Sequence, residues 1–282
     1  MASAKKILSR IQRFTCLGIT GAIRITPTGA IEALTGLPPL DLVIQGKAGS
    51  AAHHLWSPWC WSYLRPTPGH SSVLMRLQQS DPIFHMGVDV MRPEFNFKPK
   101  YRVTMLPREE WTRGTGTPPV VKGFICFTDG SRMKKGTGAG AYGQSVGRRL
   151  SISIGRYATV FQAAIYANLA CAYEIQLYGR PEKHTSICSD SQVALKALQA
   201  ARTTSPLVQQ CQKALNDISA QHTVGLYWVL GHAGVQGNEI SDKLIRDGSV
   251  QKFVGPMPSL GVSRQNIRWK IKCWLDNQHW AR

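Results

Sequence analysis

FICFTDG, Phe124 to Gly130, is an apolar run that ends in a polar turn, the pattern of a central strand covered on both faces. Downstream, TGAGAYGQ from Thr137 is rich in small residues. RRLSISIG from Arg148 alternates Leu150, Ile152 and Ile154 with polar neighbours, so both read as antiparallel strands. Thr159 and Gln162 have the spacing of a capping box, and the Ala-rich stretch through Tyr178 is long enough for a helix. TSICSD, Thr185 to Asp190, is a further short strand. Helices are predicted over 192–200 and 205–220, the second with Ser205 as N-cap and Pro206 in its first turn. TVGLYWVLGH, Thr223 to His232, supplies a fifth strand. This order predicts an α/β domain with a mixed five-stranded sheet covered by helices.

Working outward, Ile7, Leu8, Ile11 and Phe14 recur at helical spacing between Lys5 and Leu17, opposite Lys and Arg. A second helix is predicted over TGAIEALT, Thr28 to Thr35. The Pro38–Pro39 pair then precedes another apolar run, LDLVIQ. Small helices packed together would bury these faces. From Trp56 to Pro118 the chain is rich in Pro, Gly and Trp without sustained periodicity, and WTRGTGTPP reads as a linker. Four parts are therefore expected: a helical segment at 1–55, an irregular linker-like region at 56–118, the α/β domain at 119–250 and a basic C-terminal tail at 251–282.

The net charge of +18 raises the local concentration of polyanions, which makes nucleic acid the natural partner. No apolar run approaches the roughly 18 residues of a spanning helix, so no membrane role is expected. Seven scattered cysteines without CxxC spacing fit a reducing, intracellular compartment. His53, His54 and Cys60 lack a fourth ligand at suitable spacing for zinc, and Trp56, Trp59 and Trp61 fit core packing better than base stacking.

Three aspartates stand at the ends of apolar runs or just beyond: Asp129 in FTDGS, Asp190 in CSDSQ and Asp242 in GNEISDKL. Singly, each suits a turn, a cap or a solvated helix face. Together, in this strand and helix context, they suit Mg2+, a hard cation that takes carboxylate oxygens and shares its remaining positions with phosphate. Two such ions about 4 Å apart activate water and stabilise the leaving oxygen in phosphodiester hydrolysis.

In chain order, FTDGS, VFQA, CSDSQ and WVLGHAGVQGNEISDKL resemble the successive motifs of type 1 ribonuclease H domains. The flanks, LSRIQRFTCLGITGAIRITPTGAIEALTGLPPLDLVIQ and IRWKIKCWLDNQHW, resemble those of such domains in non-LTR retrotransposon polyproteins, downstream of the reverse transcriptase. The resemblance implies a ribonuclease H-like fold, its five-stranded sheet in the order 3-2-1-4-5 with helices on both faces, and a magnesium-dependent endonuclease, with Mn2+ as a substitute, that cuts the RNA strand of RNA/DNA hybrids. Nuclear or cytoplasmic residence follows from the kind of element. Asp129, Asp190 and Asp242 match three of the family's four metal carboxylates, and His232 matches its mobile-loop histidine. Gly130, Ser131, Thr159, Gln162, Ser191 and Gln192 match positions that grip the hybrid, where amides and short polar groups can read ribose 2′-hydroxyls.

The fourth carboxylate, a Glu, belongs directly after VFQA, where this chain has Ala164. Alanine cannot ligate a metal or orient a water. Glu174, ten helical residues on, is displaced by about 15 Å. Glu239, in GNE, could reach the site from its loop, but the family does not use it as this ligand. A two-ion site with a weakened second ion is therefore expected, with cleavage reduced by orders of magnitude and binding less affected. Three readings follow: an impaired enzyme, a hybrid or nucleic-acid binding module that no longer cuts, and a structural segment docked on the reverse transcriptase of the same polyprotein.

Overall fold

The computed structural model describes residues 2–56, 68–107, 109–110, 118, 120–134, 136–144, 147–179, 182–250 and 260–280. Cys60, Trp59, Trp61 and nearly all of the WTRGTGTPP stretch lie outside these. The chain forms two compact units, residues 1–88 with 264–282, and residues 89–263. A helix at the C-terminal end belongs with the N-terminal helices, and part of the region expected to be a linker belongs with the sheet.

In the first unit, α1 (Ala2–Thr20), α2 (Thr28–Thr35) and α3 (Leu40–Leu55) follow one another, with α4 (Pro68–Ser80) and a 3-10 turn (Pro82–His85) after them. The apolar stripe predicted to be buried on α1 is instead exposed, with Ile7, Ile11 and Phe14 all more than half accessible. The buried positions are Gln12 and Cys16, one turn apart. Gln12 accepts a hydrogen bond from Leu40 N at 2.5 Å and donates to Pro38 O at 3.0 Å, satisfying an orphan N–H at the start of α3. Tertiary need at a helix end overrides the hydrophobic periodicity of α1. The 56–118 region is not wholly irregular either. α4 buries Leu74 and Leu77, too few apolar positions to show a period among Pro, Gly and Ser.

The second unit begins with two short strands, β1 (Glu94–Phe95) and β2 (Arg102–Thr104). The body follows: β3 (Phe124–Met133), β4 (Gly136–Gly143), β5 (Arg148–Gly155), α5 (Val160–Tyr178), β6 (His184–Ser189), α6 (Gln192–Gln199), β7 (Arg202–Thr203), α7 (Pro206–Ile218), β8 (Thr223–Trp228) and α8 (Gln236–Val250). The remaining helix, α9 (Arg264–Trp280), belongs to the first unit, where it packs on α3. The main sheet runs β2-β8-β6-β3-β4-β5, while β1 and β7 form a separate two-stranded pair. Five of its strands keep the expected order 3-2-1-4-5. The sixth, β2, lies parallel to β8 at the edge, and its three residues were too few to read as a strand.

Period-two alternation explains how both faces are covered. Phe124, Cys126 and Ala164 share one core with Leu169 and Leu215, on the side of α5 and α7. Phe127 shares a second core with Leu106, Val121, Cys188 and Val229. Each large apolar side chain removed from water contributes about 1.5–3 kcal/mol. The small residues of β4 let α8 lie close: a Cβ on Gly140 would stand 2.8 Å from Ser241 O and from Ile245 Cγ1.

One ion outside the expected domain joins this unit together. Asp89 accepts from Ser205 Oγ at 2.9 and 3.0 Å and from Gln162 Nε2 at 3.1 Å, and burial raises its pKa against those bonds. Ser205 caps α7 and Gln162 belongs to the first turn of α5, so one carboxylate ties two helix starts. Asp89→Ala strands both donors and should lower the free energy of unfolding by about 2 kcal/mol, with Asp89→Asn losing less. Urea titration of the three proteins checks the order.

Candidate active site

Asp129 lies near the middle of β3 and pairs in register with Gly140 of β4. Directly paired residues of antiparallel strands project to the same face, so Asp129 faces α8, as Gly140 does. On the other side of β3, Thr128 pairs with Ser189 of β6, which puts Asp190 at the level of Asp129. The two carboxyls hydrogen-bond each other. Asp242 projects from α8, and its charge is felt by Asp129. The structure thus brings the three aspartates expected from the sequence to one place.

Electrostatics make this a strained cluster in the absence of a cation. Burial, followed by the Asp190 charge, pushes the Asp129 carboxyl up to about 7, against the 2.6 Å hydrogen bond it accepts from Gly130 N. Asp190 is raised as well, chiefly by burial, while hydrogen bonds to Asp129 and Asn238 and the nearby His232 oppose the rise. Oxygen donors that hold a shared proton at neutral pH are suited to exchange it for a hard divalent cation, so the donor set fits Mg2+.

At position 164, where the sequence motifs imply a fourth carboxylate, the chain has alanine. A Cβ on Gly130 would stand 2.6 Å from Ala163 Cβ and 2.7 Å from Ala163 C, and nearer still to Ala164 N. Position 164 therefore abuts the residue after Asp129. Its methyl is fully buried and joins the apolar core. Glu174, the single acid of α5, pairs with Arg148 at 2.9 Å.

His232 is exposed at φ 52°, the left-handed region that histidine enters more readily than most residues. Its Nδ1 is 3.8 Å from Asp242 Oδ2. Glu239, in the first turn of α8, completes a group with these two: one ligand atom from each lies within 4.8 Å of the others. Three further residues escaped the sequence reading. Arg246 pairs with Asp242 at 2.5 Å, four residues along α8. Asn238 is buried against Asp190, and its Oδ1 has no partner. Asp89 fixes Gln162. The GNEISDKL motif signalled Asp242, and the i, i+4 spacing was the available clue to Arg246.

The hybrid-gripping positions divide. Gln192 is exposed, and Ser131 and Ser191 are half-buried. Ser191 Oγ also caps α6 through Ala194 N at 3.3 Å. Thr159 caps α5 through the expected capping box. Gly130 is buried, its N–H given to Asp129. Gln162 is placed away from the surface at 1% exposure. Its amide donates to Asp89 and, at 2.7 Å, to Gly261 O, while Oε1 accepts from Thr159 N at 3.0 Å. Those bonds take up the groups that would otherwise read a ribose.

A mixed sheet with helices on both sides is the arrangement of a ribonuclease H-like fold, and here it carries Asp129 on one central strand, Asp190 just past the end of its parallel neighbour and Asp242 on a covering helix. Among the described residues, no helix is long and apolar enough to cross a membrane. No curated protein matches the chain. Residues 121–250 match the family model described as RNase H, which supports a ribonuclease H domain there, of the class that acts on RNA/DNA hybrids.

Proposed function

We propose that residues 119–250 form the ribonuclease H domain of a retrotransposon polyprotein, one that grips RNA/DNA hybrid and cuts it poorly because Ala164 stands in the place of a glutamate. The observation that carries this reading is the meeting of Asp129, Asp190 and Asp242 beside an alanine that abuts Gly130. Asp129 and Asp190 would hold one Mg2+, and Asp129 with Asp242 a second, weaker one. When bound, the ions supply an activated water and charge stabilisation at the scissile phosphate. His232, exposed beside Asp242, is suited to carry a proton to or from the leaving group. Gln192, Ser131, Ser191 and Thr159 would contact the hybrid backbone, with the Gly130 amide holding Asp129 in place.

Binding depends on phosphate contacts and minor-groove shape rather than on the missing ligand. A labelled RNA/DNA hybrid should therefore bind at low salt in preference to DNA duplex of the same sequence. Cleavage in Mg2+ should be at least about a hundredfold below that of a complete site, since even indirect ligand partners are worth 10–100-fold. Anisotropy and gel assays of the same mixture check both halves. Absence of any hybrid preference would end the reading of a gripping domain.

One observation favours docking on the reverse transcriptase part of the same polyprotein as well. Ile7, Ile11 and Phe14 form an exposed apolar stripe on α1, the kind of surface that marks a partner. Nuclear or cytoplasmic residence accords with that context.

A further inference from the structure

Far along the chain from the aspartates, the first unit holds a cavity of about 400 Å3 between α3 and α9. That size lies within the range of pockets that enclose small organic ligands. Lys47, Ser50 and His54 line it from one face of α3, at spacings of three and four residues. Arg264 and Arg268 line it from the first turns of α9. No acidic residue is among the described lining residues, and the first turn of α9 has none. The positive end of a 17-residue helix adds to these charges. This wall suits a phosphate.

The remaining wall asks for something else. His53 lines the same cavity, is 1% exposed, and has an Nε2 without a partner. Its ring lies against Trp56 and Phe84, with centroids 5.9 and 5.8 Å away. Its other nitrogen hydrogen-bonds the Met86 backbone, and burial depresses the imidazole to about 4. The ring is therefore neutral at physiological pH, with Nδ1–H donating and Nε2 offering a buried lone pair. A buried acceptor left unpaired is costly, and a ligand hydroxyl or amine would relieve it. Val88 and Ile267 add apolar wall for a ring.

We propose that this cavity binds a nucleotide unit, its phosphate held by Lys47, Arg264 and Arg268 and a sugar hydroxyl or base amine donating to His53 Nε2. The unit is either a free nucleotide or one residue of a nucleic-acid strand. Both present the same phosphate and donor. The inference concerns a separate unit from the carboxylates and stands whether or not those residues cut hybrid.

The full chain, labelled to report histidine imidazole resonances, is titrated with AMP, inorganic phosphate and a short oligoadenylate. Affinities are measured by calorimetry for the parent and for a Lys47→Ala/Arg268→Ala variant, whose altered side chains are exposed and whose thermal unfolding is compared with the parent's. AMP is expected to shift the His53 resonance and to bind more tightly than phosphate, and the variant should lose at least about tenfold in AMP affinity. If the oligoadenylate loses affinity by a similar factor, the natural source is a strand. If it is indifferent to the variant while AMP is not, the source is a free nucleotide. An unmoved His53 resonance, phosphate binding as tightly as AMP, or unchanged AMP affinity in the variant would overturn the proposal.

Discussion

Ala164→Glu is expected to raise Mg2+-dependent cleavage of an RNA/DNA hybrid by at least about a hundredfold, while hybrid affinity changes little. Position 164 abuts Gly130, and the absence of a side chain there lets α5 come near enough for a longer side chain at 164 to approach Asp129. The gain should carry a cost. Burial and Asp190 already push the Asp129 carboxyl up to about 7, so another buried carboxylate makes the cation-free cluster worse. The Glu variant should accordingly melt below the parent in chelator and recover more than the parent in Mg2+. Ala164→Gln, similar in shape but without the charge, should rescue neither cleavage nor the Mg2+ response. Robust and equal cleavage by parent and Glu variant would refute the role given to this position.

Gly130→Ala should be the most damaging small substitution in the β3–α5 contact, costing about 3 kcal/mol of stability. The added Cβ would stand 2.6–2.7 Å from Ala163 atoms and closer to Ala164 N. These neighbours are backbone or a methyl group on it, so no flexible side chain can give way. Strand and helix must separate, and the Gly130 N–H that steadies Asp129 moves with them. Thermal unfolding of the variant, together with its hybrid affinity, checks the result. Ser131→Ala, one residue on at a half-buried position, is the matched control and should be nearly neutral in stability.

How much of this was legible in sequence differs from element to element. β3 announced itself because strands buried on both faces are continuously apolar, and the capping box of α5 because it is a local, reciprocal pattern. The convergence of Asp129 and Asp190 followed from their places on strands that prove to be parallel neighbours. What stayed hidden depends on contacts far apart in the chain. Gln162 carried a clear local signal, yet its amide is taken by Asp89, 73 residues earlier, which no local pattern could show. Glu239 beside His232 depends on the path of a loop through a left-handed residue. On α1, the periodic apolar stripe pointed to the wrong face because a glutamine was needed at the start of α3.

The most direct measurement is a Mn2+ titration followed by electron paramagnetic resonance, on the parent, on Asp129→Asn and on Ala164→Glu. One tightly held ion is expected in the parent, none of that affinity in Asp129→Asn, and two in Ala164→Glu. Unchanged Mn2+ binding in Asp129→Asn would place the ion elsewhere, for instance at His232, Glu239 and Asp242, and would contradict the account.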